Sequence, residues 1–326
     1  MKNKTIALLS ALMVLVLLVG CASGKNEGKA DNNKNNKIKI VTTIFPEYDW
    51  VRNIVGGNND KVDIKLLVKN GVDLHNYQPN TDDLLAISNA DIFIYVGGHS
   101  DQWVDEALKD PVNKDRVVIN LFDVLDKDLK PLKESEGMEH HHDDEHHHEN
   151  DEHVWLSLPR TIKAVDYIST QLVSIDDDHS DAYENNTKDY IKELEELDQA
   201  YRACIGEGTK DTVVFADRFP FYYMADDYGL NYYAAFTGCS AESEASFETV
   251  SVLAKKIDEY ELKYLLTIEN RTHKIPETVI ESTTLQNQEV LEMNSLQSVT
   301  EKDINDGITY LNAMKSNLEV LKIALQ

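Results

Sequence analysis

Histidines concentrate in one short stretch of this 326-residue chain, interleaved with acidic residues. Seven of the eleven histidines lie in EGMEHHHDDEHHHENDEHVWLS, residues 136–157. The last of them, His153, opens an apolar Val-Trp-Leu run, which places it beside packed protein, unlike the six before it. Imidazole nitrogens and carboxylate oxygens are together suited to binding zinc and also manganese. The composition of this stretch therefore predicts a metal-binding function.

Three more candidate ligands each follow a segment with the pattern of a β-strand. His75 lies in the loop Gly71–Pro79, Asp217 follows the apolar run TVVFA, and Glu269 follows LKYLLTI. His273, four residues after Glu269, is an alternative ligand that could replace Glu269 or Asp217. Open α/β sheets bind ligands at the carboxyl ends of their strands, so these positions favour a shared site.

Apolar runs of strand length alternate with helical patterns through most of the chain, which predicts an α/β protein. Several runs are continuous rather than alternating, as in parallel strands that are covered on both faces. The predicted strands are Ile38–Ile44, Val62–Val68, Ile92–Val96, Val117–Leu121, Thr212–Ala216, Asn231–Ala235 and Leu262–Ile268.

One helical pattern is much longer than the others. Apolar residues recur at steps of three and four over residues 181–207, which predicts a helix about 40 Å long. It separates an α/β segment at 38–180 from another at 208–326. We therefore predict two lobes, each a mostly parallel sheet flanked by helices, joined by one long rigid helix.

The N-terminus has the features of an export signal. A short basic region precedes the apolar run Ile6–Leu18, which is too short to span a bilayer comfortably, and Leu-Val-Gly-Cys ends it at Cys21. This ending resembles a bacterial lipobox, in which the cysteine is lipidated. We predict a signal peptide at 1–20 and a lipidated cysteine with a polar, flexible tether at 21–37. The protein would then be anchored by lipid to the outer face of the cell membrane.

The net charge of −26, from 58 acidic and 32 basic residues, argues against nucleic acid as a partner and favours cations. Apart from Cys21, the chain has only Cys204 and Cys239. Exported cysteines can pair, but the sequence leaves open whether these two form a disulfide.

The chain resembles the zinc/manganese-type (cluster A-I) solute-binding lipoproteins of bacterial ABC importers. The resemblance extends from the lipobox to about Val299. It is carried by the segment GVDLHNYQP around His75, the acidic histidine-rich loop, HVWLS at His153, and Tyr-Gly-Leu at 228–230 with the later SAESEAS.

The resemblance implies a monomeric, high-affinity metal receptor that delivers its ion to the permease and ATPase subunits of an importer. It implies that His75 and His153 bind the ion from the first lobe. Two more ligands should come from the second lobe, where Asp217 and Glu269 match best by position. Zinc-type members commonly have a third histidine near Asp217, which this chain lacks. Zinc is the predicted ion, with manganese as the alternative, because the imidazoles of the loop favour zinc.

The loop at 134–152 offers six histidines and many carboxylates but no apolar anchor, so we expect it to be mobile and to collect metal weakly.

The main enzyme alternative is a zinc hydrolase, but His-Glu-x-x-His, Gly-x-Ser-x-Gly and glycine-rich phosphate loops are all absent from the sequence. An adhesin or sensor with a structural metal is the third alternative. We predict a transport receptor and not an enzyme.

Overall fold

The computed structural model describes residues 37–58, 60–139, 150–239, 244–269 and 274–326. The predictions about the signal peptide, Cys21 and most of the tether, about the six loop histidines, and about His273 lie outside these ranges.

Eight strands within the described residues form two parallel sheets of four, which confirms the predicted fold class. The first sheet has the order β2-β1-β3-β4 and the second the order β6-β5-β7-β8, so both repeat one topology. The strands are β1 (Ile38–Thr42), β2 (Val62–Leu66), β3 (Ile92–Tyr95), β4 (Val117–Asn120), β5 (Thr212–Phe219), β6 (Asn231–Thr237), β7 (Tyr264–Ile268) and β8 (Glu289–Met293).

Eleven α-helices flank these sheets in the described ranges. They are α1 (Phe45–Val55), α2 (Thr81–Ser88), α3 (Val104–Ala107), α4 (Leu121–Val124), α5 (Leu158–Ile175), α6 (Ser180–Glu207), α7 (Tyr222–Tyr228), α8 (Phe247–Tyr260), α9 (Lys274–Glu281), α10 (Glu301–Asn305) and α11 (Tyr310–Ala324). We call the first sheet with α1–α5 the first lobe, and the second sheet with α7–α11 the second lobe. In the described part of the chain, no helix is both long and apolar enough to cross a membrane.

The long helix α6 has 28 residues and lies within one residue of its predicted start. Its buried stripe includes Tyr183 and Tyr201 and faces both lobes. It packs on α1 and α5 of the first lobe and on α7 and α11 of the second. Hydrogen bonds fix both ends, because Asn186 donates to Ile54 O at 3.0 Å and the Tyr201 hydroxyl donates to Met314 O at 2.7 Å.

The two lobes share one apolar core across their junction. The indole of Trp155 in the first lobe donates to Ser295 O at 2.9 Å, and the hydroxyl of Tyr310 in the second lobe donates to Trp155 O at 2.7 Å. The backbone N–H of Tyr310 also donates to Asp49 Oδ2 on α1 at 2.8 Å. These hydrogen bonds join buried polar groups across the junction, so they help to fix how the lobes pack.

The histidine-rich loop begins later than the sequence predicts. Residues 134–139 do contain an apolar anchor, because Met138 is buried against the second lobe. Glu139 N donates to Ala235 O on β6 at 2.9 Å, and Thr249 Oγ1 donates to Gly137 O at 2.9 Å. Residues 134–139, which we call the strap, are therefore held against the second lobe by these contacts.

A buried carboxyl group lies at the carboxyl end of β1. Glu47 is fully buried, and its Oε2 accepts hydrogen bonds from the backbone N–H of Thr43 and Ile44. Its Oε1 is buried without a hydrogen-bond partner among the described residues. Burial, with the charge of Asp101 adding to it, raises the pKa of Glu47 to about 8.

This raised pKa predicts that stability falls with pH. The folded protein keeps a proton on Glu47 up to about pH 8, whereas the unfolded chain releases it near the ordinary value of 4.5. Stability should therefore decrease as pH rises between these values, by up to about 1.4 kcal/mol per pH unit. Glu47→Gln mimics the protonated form, so its melting temperature should depend less on pH. Equal slopes for both proteins between pH 5.5 and 8 would contradict the prediction.

Candidate metal centre

His75 lies in a short 3₁₀ turn, Leu74–Asn76, after β2. Leu74 is fully buried and anchors the turn. Asp73 caps the turn, with its Oδ1 accepting from His75 N at 3.1 Å, and its Oδ2 pairs with Arg218 of the second lobe at 2.6 Å. The imidazole therefore stands on a fixed turn that faces the second lobe.

His153 is fully buried and directly precedes another 3₁₀ turn, Val154–Leu156. Asp151 Oδ1 accepts from the backbone N–H of His153 at 2.9 Å and lies 3.1 Å from its Nδ1. Ser157 then caps α5 by accepting from Arg160 N at 3.3 Å. The apolar Val-Trp-Leu run holds the backbone of His153, while Asp151 orients its ring.

The structure brings the two predicted histidines together, with Nε2 of His75 and Nε2 of His153 3.2 Å apart. Glu152 accepts the hydroxyl proton of Ser100 at 2.5 Å, so Ser100 Oγ is free to accept from His75 Nδ1 at 2.6 Å. Gln297 Nε2, 3.0 Å from His75 Nε2, is placed to donate to it.

These contacts assign the proton of each imidazole to Nδ1. The carboxylate of Asp151 does the same for His153 as Ser100 and Glu152 do for His75. Both Nε2 atoms are then unprotonated and lie 3.2 Å apart, so a cation could bind both of them, in place of the Gln297 amide at His75. A carboxylate behind a metal-binding histidine is the usual arrangement in metal sites.

Glu152 is an ionised carboxylate in a buried position. Burial acts to raise its pKa, but the hydrogen bond and charge of His75 and the hydrogen bonds of Ser100 outweigh this and lower the pKa to about 2. Sequence reasoning placed Glu152 in the mobile loop and did not single out Ser100. The only sequence signal was that Asp151 and Glu152 directly precede His153.

Asp217 and Glu269 are not in the described cluster that contains the two histidines. Asp217 is inside β5, which runs to Phe219 and changes register between Phe215 and Arg218, so the predicted end of this strand was too early. Its carboxylate accepts from Arg218 N at 2.8 Å and from Thr267 Oγ1 at 2.7 Å.

Glu269 directly follows β7, as predicted, and its carboxylate accepts from the backbone N–H and the hydroxyl of Ser295, each at 2.7 Å. Burial raises the pKa of Glu269, while the bonds from Ser295 act against this. The Ser295 hydroxyl lies 3.3 Å from Gln297 Oε1, which links Glu269 indirectly to His75. The assignment of Asp217 and Glu269 as ligands stays a prediction.

A third metal-binding side chain joins the two histidines. Ligand atoms of His75, His153 and Cys239 all lie within 4.8 Å of one another. Both Cys239 and Cys204 are free, so the disulfide that the sequence left open is not formed. The sequence indicated Cys239 only as a possible disulfide partner of Cys204, because no sequence pattern around it distinguishes a metal-binding thiol from any other.

Gly238 lies so close to His153 that adding a single methyl group at position 238 should weaken zinc binding. A Cβ at position 238 would lie 2.5 Å from His153 Cε1 and 2.9 Å from its Nδ1. Gly238→Ala should turn the ring away from Asp151 and weaken zinc binding by about 10- to 100-fold. A Cβ at Gly206 in α6 meets no atom within 4 Å, so Gly206→Ala is the control. Titration with zinc measures both, and equal affinities would refute the steric argument.

Comparison with known protein families shows which family this chain belongs to. The family model described as ZnuA, zinc-uptake complex component A, periplasmic, matches residues 40–324. The chain belongs to the ZnuA family. The high-affinity zinc uptake system protein ZnuA of Bacillus subtilis is 31% identical over 316 residues, covering 95% of this chain and 94% of that protein.

Other relatives of the ZnuA family are longer than this chain. The zinc-binding protein AdcA of Streptococcus pyogenes is 30% identical over 295 residues, which are 88% of this chain but only 56% of AdcA. The Zn(II)-bound ZnuA-like domain of Streptococcus pneumoniae AdcA has a similar structure, with a TM-score of 0.71 and 28% identity over 89% of this chain and 99% of that one.

Proposed function

We propose that this protein is an extracytoplasmic zinc receptor that binds the ion between its two lobes and delivers it to the permease of an ABC importer. The observation that carries the proposal is that the Nε2 atoms of His75 and His153 lie 3.2 Å apart, with a carboxylate on the Nδ1 side of each ring. Two buried imidazoles that are already oriented by carboxylates are suited to hold zinc reversibly.

The names of the relatives support zinc as the cargo and uptake as the process. Manganese prefers oxygen ligands, and the cluster at the lobe junction contains nitrogen and sulfur atoms instead. We keep the sequence prediction that Asp217 and Glu269 supply oxygen ligands from the second lobe. We also propose that the lipid of Cys21 anchors the receptor, as a monomer, to the outer face of the membrane, where the permease and its ATPase are its partners.

Zinc uptake in the host bacterium tests this function. Cells without this protein should grow poorly when zinc is chelated, and added zinc or the intact gene should restore growth. Uptake of radioactive zinc should fall in the same cells, while manganese uptake should not change. Normal zinc uptake and growth without the protein would overturn the proposal, and loss of manganese uptake alone would make the protein a manganese receptor.

Deletion of the loop should separate weak zinc binding from tight binding. Only residues 140–149 should be removed, because Glu139 is bonded to β6 while Asp151 and Glu152 hold the two histidines. This deletion should abolish the weaker zinc equivalents seen by calorimetry and leave one tight site. Removal of the wider predicted loop, 134–152, should damage the tight site as well. Loss of tight binding in the shorter deletion would mean that the site lies in the loop.

A further inference from the structure

We infer that Cys239 is a metal ligand of this site, so that two imidazoles and a thiolate hold the ion. This inference deepens the proposed function and depends on it. The three side chains already have ligand atoms within 4.8 Å of one another. Around a tetrahedral zinc with bonds of about 2.0–2.1 Å to nitrogen and 2.3 Å to sulfur, ligand atoms lie roughly 3.3–3.6 Å apart. The 3.2 Å between the two Nε2 atoms is close to this spacing.

The position of Cys239 gives the second lobe a ligand. His75 and His153 both belong to the first lobe, and Cys239 lies two residues after β6 of the second. Gly238, next to Cys239, allows the segment after β6 to lie close to His153. Any side chain at position 238 would collide with the ring of His153. The strap, residues 134–139, is bonded to β6 at Ala235, close to the same segment. An ion bound by all three residues therefore connects the lobes.

Cys239 has fewer hydrogen bonds to give up on binding a metal ion than the carboxylates of Asp217 and Glu269 have. Both oxygens of Asp217 and both oxygens of Glu269 accept hydrogen bonds within the second lobe. Within the described residues, the hydrogen-bond contact of the Cys239 sulfur is a long one, 4.0 Å to Glu152 Oε2. A carboxylate must give up a hydrogen bond or share an oxygen to bind the ion, whereas Cys239 has only this long contact to give up.

A thiolate ligand has a consequence for selectivity. Sulfur ligands favour zinc over the harder manganese ion, while a set of histidines and carboxylates serves both. The chain has no histidine near Asp217 in the sequence. Cys239 would supply the third soft ligand from a different loop of the same lobe. Asp217, Glu269 or a water molecule would then complete the coordination.

Cobalt(II) is the probe that tests this inference, because a cobalt–thiolate bond gives an intense near-ultraviolet charge-transfer absorption. The full chain loaded with cobalt should show this absorption, and Cys239→Ser should remove it. Cys239→Ser should also weaken zinc binding by about 100-fold while changing manganese binding much less. Cys204→Ser, which changes the other free cysteine of the described chain, is the matched control and should behave as the unaltered protein.

The outcomes separate this inference from the proposed function. Tight zinc binding without the thiolate absorption, unchanged by Cys239→Ser, would overturn the role of Cys239 and leave the receptor intact. Failure of the unaltered protein to bind zinc would instead overturn the proposed function. Thermal unfolding without metal shows whether Cys239→Ser is folded. If Cys239→Ser is unfolded, the absorption of the unaltered protein decides the question alone.

Discussion

Replacement of either His75 or His153 by alanine should weaken zinc binding at least about 1,000-fold, equivalent to roughly 4 kcal/mol. Each substitution removes one imidazole and leaves its carboxylate, Glu152 or Asp151, buried without its partner. The metal-free protein should remain folded, because neither substitution removes an apolar side chain of the shared core. The loss should appear in competition with a chelator and as a smaller zinc-induced rise in melting temperature.

His179→Ala is the matched control for this experiment. His179 also contacts a carboxylate, with Nδ1 2.9 Å from Asp176 Oδ1, but it lies at the start of α6 and outside the metal cluster. Its removal should not change zinc affinity. Asp217→Ala and Glu269→Ala should cost less than either site histidine, because zinc gains more from imidazole than from carboxylate. Full zinc affinity in His75→Ala or His153→Ala would place the site elsewhere.

Arg160→Ala should destabilise the protein by about 3 kcal/mol, because it breaks a buried ion pair between the lobes. The guanidinium of Arg160 on α5 lies 2.7 Å from Asp227 Oδ1 on α7, and the two side chains are only 5% and 13% exposed. It also donates to Asp128 O at 2.8 Å and lies 4.1 Å from the ring centre of Tyr223. The substitution removes the cation that is paired directly with the largely buried carboxylate of Asp227.

Arg202 provides a control with the same kinds of contact at the surface. Its guanidinium pairs with Asp198 at 3.0 Å and lies 5.2 Å from the ring of Tyr228, but its side chain is 51% exposed. Arg202→Ala should cost less than about 1 kcal/mol, because water screens exposed pairs. Urea unfolding measures both variants without metal. Equal losses would show that burial of the inter-lobe pair does not matter.

The sequence was sufficient to predict the helices and strands wherever their burial leaves a recognisable pattern of apolar residues. The continuous apolar runs predicted seven parallel strands, and the stripe over residues 181–207 predicted α6 to within one residue. β8 (Glu289–Met293) escaped notice because it is half exposed and carries two glutamates, so no apolar run marks it. β5 continues through Asp217 and Arg218 because the fold buries these charged residues, which no local pattern indicates.

The sequence also identified His75 and His153, since each has a local signal: one lies in a loop after a strand and the other opens an apolar run. It could not identify Cys239, 86 positions after His153, as their neighbour. That proximity depends on how the two lobes pack through Trp155, Tyr310 and the strap. Packing between distant segments is decided by complementary surfaces and satisfied hydrogen bonds rather than by spacing along the chain, so the tertiary structure alone places the thiol beside the imidazoles.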